Sequence, residues 1–468
     1  MNINRAIGRI VTIFLVAYAL LFVRQLYVGL VEGPRLAQNP HNPRAALLAP
    51  YRGDIVARDG TVLAHSTARG RTYPLGAAAA HAIGYASARY GTSGIEAAFD
   101  SELAPHPVAD DPFAEIGRLV HGGSRVPAVR GATVITTIDP AVQRTLYDAL
   151  SDYSRAAGVV LDPRTGEVLA IASVPSFDPG DIDANFARIS ANSQSPLLDR
   201  ATDGLYPPGS TFKIVIAGAA LDAGVVTPDS TFDDDGALPV GSFVVHDDEG
   251  EATGTQDLAG AFALSSNVDF AQIALRLGGD RLLDELSRWG LGNSVDFTLP
   301  VAHDRVPGKD ELSPGVLAQL GFGQADLLVT PLRMALVGAT IASGGSEPRP
   351  YLVRALREGG VTRPVGEPYA LATPLSADTA SQVASMMVEV VRRGTGRSAA
   401  LPDVQVAGKT GTATVSNGRS HAWFVAFAPA DAPRVAVAIV VENAGYGGAV
   451  AAPIARRVIA AALASEHG

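Results

Sequence analysis

The chain has 468 residues, which is room for two or three domains, and a formal charge of −10 at pH 7. Nucleic-acid binding requires clustered Lys and Arg, so this charge and the lack of a basic run argue against a nucleic-acid partner. With no cysteine in the sequence, disulfides, thiolate nucleophiles and cysteine metal sites are excluded. We expect no metal and no other cofactor.

An apolar segment near the N-terminus predicts a membrane anchor. Residues 10–23 are uncharged and follow Arg5 and Arg9, and apolar character resumes after Arg24 as far as residue 31. A span over 10–31 reaches the length of about 20 residues that a bilayer requires. The preceding basic residues predict a cytoplasmic tail, 1–9, and export of the remainder. A cleaved signal peptide is the alternative, since a short apolar core behind basic residues also fits one.

The next segments predict a linker and a small domain. Residues 32–50 are rich in Pro, Asn and Arg, as in a tether that leaves the membrane. Residues 52–64 then predict a β-hairpin, because Asp59-Gly60 is a strong turn signal between apolar segments. We therefore expect a small, β-rich pedestal domain over 51–150.

The remainder, 151–468, predicts one large α+β domain. Strand patterns occur at both of its ends, and helical patterns lie between them. This arrangement favours an antiparallel sheet flanked by helices over alternating βαβ units. The predicted elements are strands at 158–162 and 168–172, a helix after Ser210 with one apolar face, strands at 423–428 and 434–441, and a closing helix at 451–464.

Lysine is rare in this chain, and two of the three lysines lie in short polar motifs; the chain has 34 arginines. Lys213 follows Ser210 by three residues at a predicted helix start, so the two side chains share a face. A neutral lysine can act as the base that activates a serine hydroxyl, which arginine cannot do. Coincidence is the competing explanation, because serine is a common residue.

Two further motifs contain chemically suitable side chains. Ser265-Ser266-Asn267 places a hydroxyl and an amide two residues apart in an alanine-rich stretch, although such a tripeptide is usually a turn or a helix cap. In Lys409-Thr410-Gly411-Thr412, a glycine in a predicted strand indicates close approach of a ligand. The cation and the hydroxyls around that glycine suit a carboxylate. An ordinary edge strand is the alternative.

In this order, the three motifs are the signature set of penicillin-binding proteins and serine β-lactamases. The chain resembles class B penicillin-binding proteins over essentially its whole length, and most of all their compact, division-associated actinobacterial forms. One departure is Asp199-Arg200-Ala201, where family members often have Asn-Arg-Ala. Further matching segments are 52–64, 94–96, 136–139, 161–166, 321–324, 330–331 and 452–455.

The resemblance implies a role for each motif residue. Ser210 would attack the penultimate D-alanine carbonyl of a peptidoglycan stem peptide and form an acyl-enzyme. Lys213 would take and return the proton, and Ser265 would relay a proton to the leaving amine. Asn267 would hold the acyl-side backbone.

The strand motif would bind the other end of the substrate. Lys409, Thr410 and Thr412 would hold the terminal carboxylate beside Gly411. The backbone N–H groups of Ser210 and Thr412 would form the oxyanion hole.

The resemblance thus implies a penicillin-binding/serine β-lactamase-like transpeptidase domain behind a pedestal and one transmembrane helix. The implied activity is peptidoglycan D,D-transpeptidation in septal wall synthesis, inhibited by β-lactams. The implied partners are D-Ala-D-Ala stem peptides, a SEDS-type glycosyltransferase and divisome proteins. The alternatives are a D,D-carboxypeptidase or class D-like β-lactamase on the same fold, and a non-catalytic β-lactam sensor or divisome scaffold. The expected location is the cell membrane, single-pass, with the large domain outside the cytoplasm.

Overall fold

The computed structural model describes residues 3–27, 51–67, 70–107, 128–247, 252–415 and 418–465. The predicted linker 32–50, the last residues of the predicted anchor, 28–31, and residues 108–127 of the predicted pedestal lie outside them. The α-helices are α1 (Ile3–Tyr27), α2 (Ala80–Ile83), α3 (Gly94–Ala98), α4 (Asp100–Leu103), α5 (Pro140–Leu150), α6 (Ile182–Ser190), α7 (Lys213–Asp222), α8 (Leu258–Leu264), α9 (Asn267–Leu277), α10 (Gly279–Arg288), α11 (Pro314–Leu320), α12 (Pro331–Ala342), α13 (Ala377–Arg392) and α14 (Ala451–Ser465).

The strands include the hairpins and sheets that the sequence predicts. They are β1 (Ile55–Val56), β2 (Val62–Thr67), β3 (Gly70–Thr72), β4 (Ala86–Ser87), β5 (Gly91–Thr92), β6 (His106–Pro107), β7 (Ala128–Val129), β8 (Thr133–Thr136), β9 (Ala156–Leu161), β10 (Val168–Val174), β11 (Thr231–Asp234), β12 (Ala237–Val240), β13 (Phe243–His246), β14 (Gly254–Asp257), β15 (Glu347–Pro348), β16 (Val353–Glu358), β17 (Val361–Pro364), β18 (Ala370–Ala372), β19 (Ala407–Thr414), β20 (Ser420–Ala428) and β21 (Val435–Val441).

The N-terminal helix α1 covers most of the predicted anchor. Its described side chains, 10–24 and Tyr27, are exposed, and Phe14 is 70% exposed. Within the described ranges, no helix meets the length and apolarity needed to cross a bilayer. The anchor therefore stays a prediction.

A five-stranded antiparallel sheet forms the centre of the large domain, in the order β10-β9-β21-β20-β19. Strands β9, β10 and β21 are buried along their whole length, because helices cover both faces of the sheet. Helices α5 and α14 pack on one face and α12 on the other. The predicted antiparallel sheet flanked by helices is confirmed.

A six-stranded sheet joins the pedestal to the large domain, in the order β17-β16-β8-β1-β2-β3. Strands β1 and β2 form the predicted hairpin. Strand β8 pairs with β1 on one side and with β16, which lies more than 200 residues further along the chain, on the other. The pedestal sheet is therefore completed by the hairpin β16–β17 of the large domain.

Helix α7 differs from its predicted pattern. The sequence predicts one apolar face, but residues 213–220 are all buried. Helix α7 contacts α9, α10, α12 and α13. These helices bury the apolar and small residues on every face of α7. This central position places Lys213, the first residue of α7, inside the domain.

Candidate active site

Ser210 lies in a 3₁₀ turn, Gly209–Phe212, that runs directly into α7. The backbone N–H of Lys213 donates to the carbonyl of Ser210. Residues three apart are eclipsed in a 3₁₀ helix, so the side chains of Ser210 and Lys213 lie one above the other. Ser210 is half-buried, whereas Lys213 is 0% exposed. The turn thus presents the hydroxyl at the surface and the amine beneath it.

Close contacts between backbones fix this turn. Gly209 has φ +54° and its N–H donates to the carbonyl of Gly323 at 3.0 Å. A Cβ at Gly323, where φ is +73°, would lie 2.1 Å from the carbonyl oxygen of Gly209. A Cβ at Gly411 would lie 2.9 Å from the carbonyl oxygen of Pro208. Because Gly323 and Gly411 have no side chain, the turn fits between residues 321–323 on one side and β19 on the other.

The second motif forms the junction between two helices. Ser265 ends α8 in a left-handed conformation with φ +66°, and Asn267 begins α9. Lys213 Nζ donates to the carbonyl oxygen of Ser265 at 2.5 Å and to Asn267 Oδ1 at 2.9 Å. It also lies 3.3 Å from Ser265 Oγ. The amine is therefore held by both motif residues.

Lys409 approaches the same hydroxyl from β19. Its Nζ donates to Ser265 Oγ at 2.8 Å and to the carbonyl oxygen of Thr410 at 3.2 Å. Lys409 is 0% exposed, and its Nζ lies 5.6 Å from the ring centroid of Phe262. Ser265 Oγ thus lies between the amines of Lys213 and Lys409.

The threonines of the third motif lie on the same edge strand. Side chains alternate along a strand, so Lys409 and Gly411 share one face, towards Phe262 and the turn 208–211, and Thr410 and Thr412 share the other. The hydroxyls of Thr410 and Thr395 are 2.5 Å apart. Thr412 is half-buried, and its carbonyl oxygen would be 2.8 Å from a Cβ at Gly209. Thr412 is therefore next to the turn that contains Ser210.

Three carboxyl groups lie behind the Ser265–Asn267 junction. Ser266 Oγ donates towards Asp234 Oδ2 at 3.0 Å and Asp247 Oδ2 at 3.3 Å. Burial, followed by the hydrogen bond to Asp234, raises the pKa of Asp247 to about 7. Burial and the charge of Asp234 raise the pKa of Asp269 to about 6. The described residues contain no His, Cys, Asp and Glu group suited to a metal ion.

The structure brings the side chains of four predicted site residues into contact, those of Lys213, Ser265, Asn267 and Lys409. Gly411 and Thr412 adjoin the turn that contains Ser210. Thr410 is in the same strand, but its hydroxyl is paired with that of Thr395. Sequence reasoning missed Thr395 and the pair Asp234 and Asp247, which lie outside all three motifs. The acidic residues around 233–235 and 247–249 are visible in the sequence. Their position behind Ser266 depends on the pairing of β11 with β14 and of β12 with β13, which no local pattern gives.

This fold and site define the class of active-site-serine proteins that includes penicillin-binding proteins and serine β-lactamases. A family model described as the penicillin binding protein transpeptidase domain matches residues 156–460. A model of the penicillin binding protein A dimerisation domain matches residues 52–112. The chain belongs to the penicillin-binding protein transpeptidase family.

Relatives extend this similarity over the whole chain. The peptidoglycan D,D-transpeptidase PbpA of Mycobacterium tuberculosis is 35% identical, covering 99% of this chain and 100% of that protein. The peptidoglycan D,D-transpeptidase MrdA of Haemophilus influenzae is 33% identical, covering 73% of this chain and 58% of that protein.

Solved structures agree. Penicillin-binding protein A of M. tuberculosis, as a penicillin G acyl-enzyme complex, matches with a TM-score of 0.79 and 35% identity, covering 88% of this chain and 99% of that one. The D,D-transpeptidase domain of a peptidoglycan glycosyltransferase from Eggerthella lenta matches with a TM-score of 0.80 and 34% identity, covering 89% of this chain and 99% of that one.

Proposed function

We propose that this chain is a peptidoglycan D,D-transpeptidase that cross-links stem peptides through an acyl-enzyme on Ser210. One observation carries the proposal. Lys213 is buried one 3₁₀ turn after Ser210, and its amine is held by Ser265 and Asn267. Relatives named peptidoglycan D,D-transpeptidase, and a relative solved as a penicillin G acyl-enzyme, support it.

Acylation begins with proton transfer. Two ammonium groups near one hydroxyl repel each other, so Lys409 favours a neutral Lys213. Neutral Lys213 takes the proton of Ser210 as its oxygen attacks the penultimate D-alanine carbonyl. The backbone N–H groups of Ser210 and Thr412 then stabilise the oxyanion, a role supported by the close approach of Gly209 to Thr412.

Breakdown of the tetrahedral intermediate releases the terminal D-alanine. Its nitrogen takes a proton from Lys213 through Ser265 Oγ, which lies 3.3 Å from Lys213 Nζ and 2.8 Å from Lys409 Nζ. Lys409 remains charged and, with Thr412, orients the terminal carboxylate at the open edge of β19 beside Gly411. Thr410 supports this edge through its hydrogen bond to Thr395. Asn267 holds the acyl-side backbone. An amino group of a second stem peptide then attacks the acyl-enzyme and regenerates Ser210.

Acylation can be tested at single residues in the full-length chain with a fluorescent penicillin. We expect Ser210→Ala to remove all covalent labelling. Lys213→Arg removes it while the protein stays folded, since a guanidinium cannot serve as the base. Lys309→Arg is the matched control, because Lys309 is an exposed surface lysine paired with Asp280 at 2.8 Å. Wild-type labelling of Lys213→Arg would disprove its role as the base.

Mass spectrometry locates the nucleophile and separates the alternatives. A stable β-lactam adduct on the peptide that contains Ser210 is expected. Steady turnover of nitrocefin would favour a β-lactamase, and release of D-alanine without cross-linked product a D,D-carboxypeptidase. Absence of any adduct would favour a non-catalytic sensor or scaffold.

We also propose that the chain is a single-pass membrane protein with its large domain outside the cytoplasm. The exposed apolar side chains of α1 between residues 10 and 23, behind Arg5 and Arg9, support this topology. A septal role with a SEDS-type glycosyltransferase and divisome partners is supported by the short pedestal. Localisation of the full-length chain tests both proposals.

A further inference from the structure

The junction between α8 and α9 holds a strained residue at the site. Ser265 has φ +66°. Residues other than glycine adopt this left-handed conformation at an energetic cost, and it persists only where the surrounding structure enforces it. Ser265 and Asn267 both contact Lys213. Whatever fixes this junction therefore also fixes the surroundings of the proposed base.

The chain segment at the end of β13 holds the junction from outside the three motifs. Asp247 Oδ1 accepts hydrogen bonds from the backbone N–H groups of Asn267 and, at 3.3 Å, Val268. The carbonyl oxygen of His246 accepts from Asn267 Nδ2 at 3.1 Å. Because Nδ2 is used in this way, Asn267 Oδ1 is turned towards Lys213 Nζ, 2.9 Å away.

The second oxygen of Asp247 faces another carboxyl group. Asp234 Oδ1 accepts from the backbone N–H of Gly236 at 2.8 Å, and its Oδ2 accepts from Thr253 Oγ1 at 2.7 Å and Ser266 Oγ at 3.0 Å. Asp247 Oδ2 lies 3.3 Å from the same Ser266 Oγ, so the two carboxyl groups are next to each other. Two adjacent carboxylates repel, which favours a proton on one of them.

The hydrogen-bond partners show which carboxyl group holds the proton. Every described partner of Asp234 is a donor, which suits an ionised acceptor, and these hydrogen bonds lower its pKa against the opposing effect of burial. Asp247 uses Oδ1 for its backbone donors, and its Oδ2 lies 3.3 Å from Ser266 Oγ. The single hydrogen of that hydroxyl goes to the nearer Asp234 Oδ2, 3.0 Å away, so Asp247 Oδ2 is the oxygen that carries the proton. Among the residues that the structure describes, Asp269 of α9 and Lys213 of α7 are further charged groups that face the pair.

We propose that Asp247 is a positioning residue for acylation: it shares a proton with Asp234 and so holds the Ser265–Asn267 junction against Lys213. The inference rests on the proposed roles of Lys213 and Asn267. Neither aspartate touches the reacting atoms. They act through the backbone of the junction and the orientation of the Asn267 amide.

The proposal predicts a specific pH dependence. A carboxyl group whose pKa is raised on folding favours the protonated form, so its contribution is present at low pH and is lost as the pH rises through about 7 for Asp247. Above that pH, two carboxylates face each other at Ser266 and repel. The junction then loosens, and the acylation rate of the wild type falls relative to a variant that keeps a donor at this position.

Asparagine substitutions at the two positions provide that comparison. In Asp247→Asn, Oδ1 can still accept from the backbone and Nδ2 can donate to Asp234, as protonated Asp247 does. In Asp234→Asn, the new NH₂ group would replace an oxygen that accepts from the hydroxyls of Thr253 and Ser266, so donors would face donors. We therefore expect Asp247→Asn to retain most of the acylation rate at about pH 6, and Asp234→Asn and Asp247→Ala to lose at least about tenfold, as for a buried partner left unsatisfied.

The test is the second-order acylation rate of each full-length variant with a fluorescent penicillin, from about pH 6 to about pH 9. The ratio of Asp247→Asn to wild type should rise above about pH 7. A constant ratio, equal losses in Asp247→Asn and Asp234→Asn, or a wild-type rate in Asp247→Ala would overturn the proposal. Thermal melting identifies any variant that fails to fold. If Asp247→Ala or Asp234→Asn does not fold, the pH dependence of Asp247→Asn relative to wild type tests the proposal. Missing wild-type adduct on Ser210 would instead refute the proposed function.

Discussion

At the scale of single residues, two glycines determine how the turn that contains Ser210 is held. Gly209 and Gly323 both have positive φ and approach each other so closely that a Cβ at Gly323 would lie 2.1 Å from a backbone oxygen. The same Cβ would lie 2.7 Å from Cβ of Phe212. Neither neighbour is the end of a flexible side chain. An added methyl group must therefore displace the turn that contains Ser210.

Gly323→Ala should lower the acylation rate by about a hundredfold, because displacement of a reacting group by about 1 Å costs that much. Gly344→Ala is the matched control, since Gly344 also has positive φ, +66°, but a Cβ there would meet nothing within 4 Å. The control should lose about 1 kcal/mol of stability, because alanine is strained at positive φ, and keep its acylation rate. Equal acylation rates in the two variants would show that the contact with Gly209 does not position Ser210.

At the scale of elements, a buried arginine joins α12 to the chain segments around it. Arg333 donates to Asp304 Oδ2 at 2.8 Å, to Glu347 Oε1 at 3.1 Å and to the carbonyl oxygen of Gly290 at 2.9 Å. All three side chains are buried. Burial raises the pKa of Glu347 to about 7 despite the arginine, and Asp304 adds to this effect. The guanidinium of Arg333 therefore offsets the cost of burying two carboxyl groups, those of Asp304 and Glu347.

Removal of this guanidinium should destabilise the fold. We expect Arg333→Met to lower the free energy of unfolding by about 3 kcal/mol or more, because it leaves buried carboxyl groups unpaired. The loss should grow as the pH rises through about 7, where Glu347 ionises. Chemical denaturation at about pH 6 and about pH 8 measures both effects.

Arg305→Met is the control for this substitution. The side chains of Arg305 and Asp326 are 55% and 71% exposed, and exposed pairs contribute about 0–1 kcal/mol. A loss in Arg333→Met no larger than that in Arg305→Met would show that the buried network adds no stability.

At the scale of the whole molecule, the pedestal and the large domain are built into each other. Strand β8 pairs with β16, and Thr137 Oγ1 donates to the carbonyl oxygens of Val168 at 2.6 Å and Tyr351 at 3.2 Å. Helix α5, which follows β8, packs against β10 and α14. These contacts make the pedestal part of the support of the active-site sheet.

The N-terminal 50 residues are predicted to contribute location rather than chemistry. Removal of residues 1–50 should release the protein from the membrane fraction and abolish septal enrichment of a fluorescent fusion, while the rate of penicillin acylation stays within about twofold of wild type. Cell fractionation, microscopy and labelling measure the three effects. Membrane retention of the truncated protein would contradict the anchor, and uniform peripheral fluorescence of the full-length fusion would contradict the septal role.

Local patterns predicted much of this molecule. The hairpin at Asp59-Gly60, the strands of the central sheet and the closing helix follow from turn chemistry and periodicity within short windows. The helix after Ser210 was predicted with one apolar face, and its burial on all sides could not be predicted because that depends on several other helices. The same limit applies to the pedestal sheet, which takes β16 and β17 from a distant part of the chain.

The sequence by itself predicted the chemistry: two serines, two lysines and an asparagine in an order that suits acyl transfer. The tertiary structure decided how they meet. Lys409 and Ser265 are 144 residues apart in sequence and 2.8 Å apart in space. The hydrogen bonds from Asp234 and Asp247 to the Ser265–Asn267 junction and the contact between Gly209 and Gly323 likewise join distant segments. Such contacts arise from packing and strand pairing across the fold, which no local residue pattern encodes.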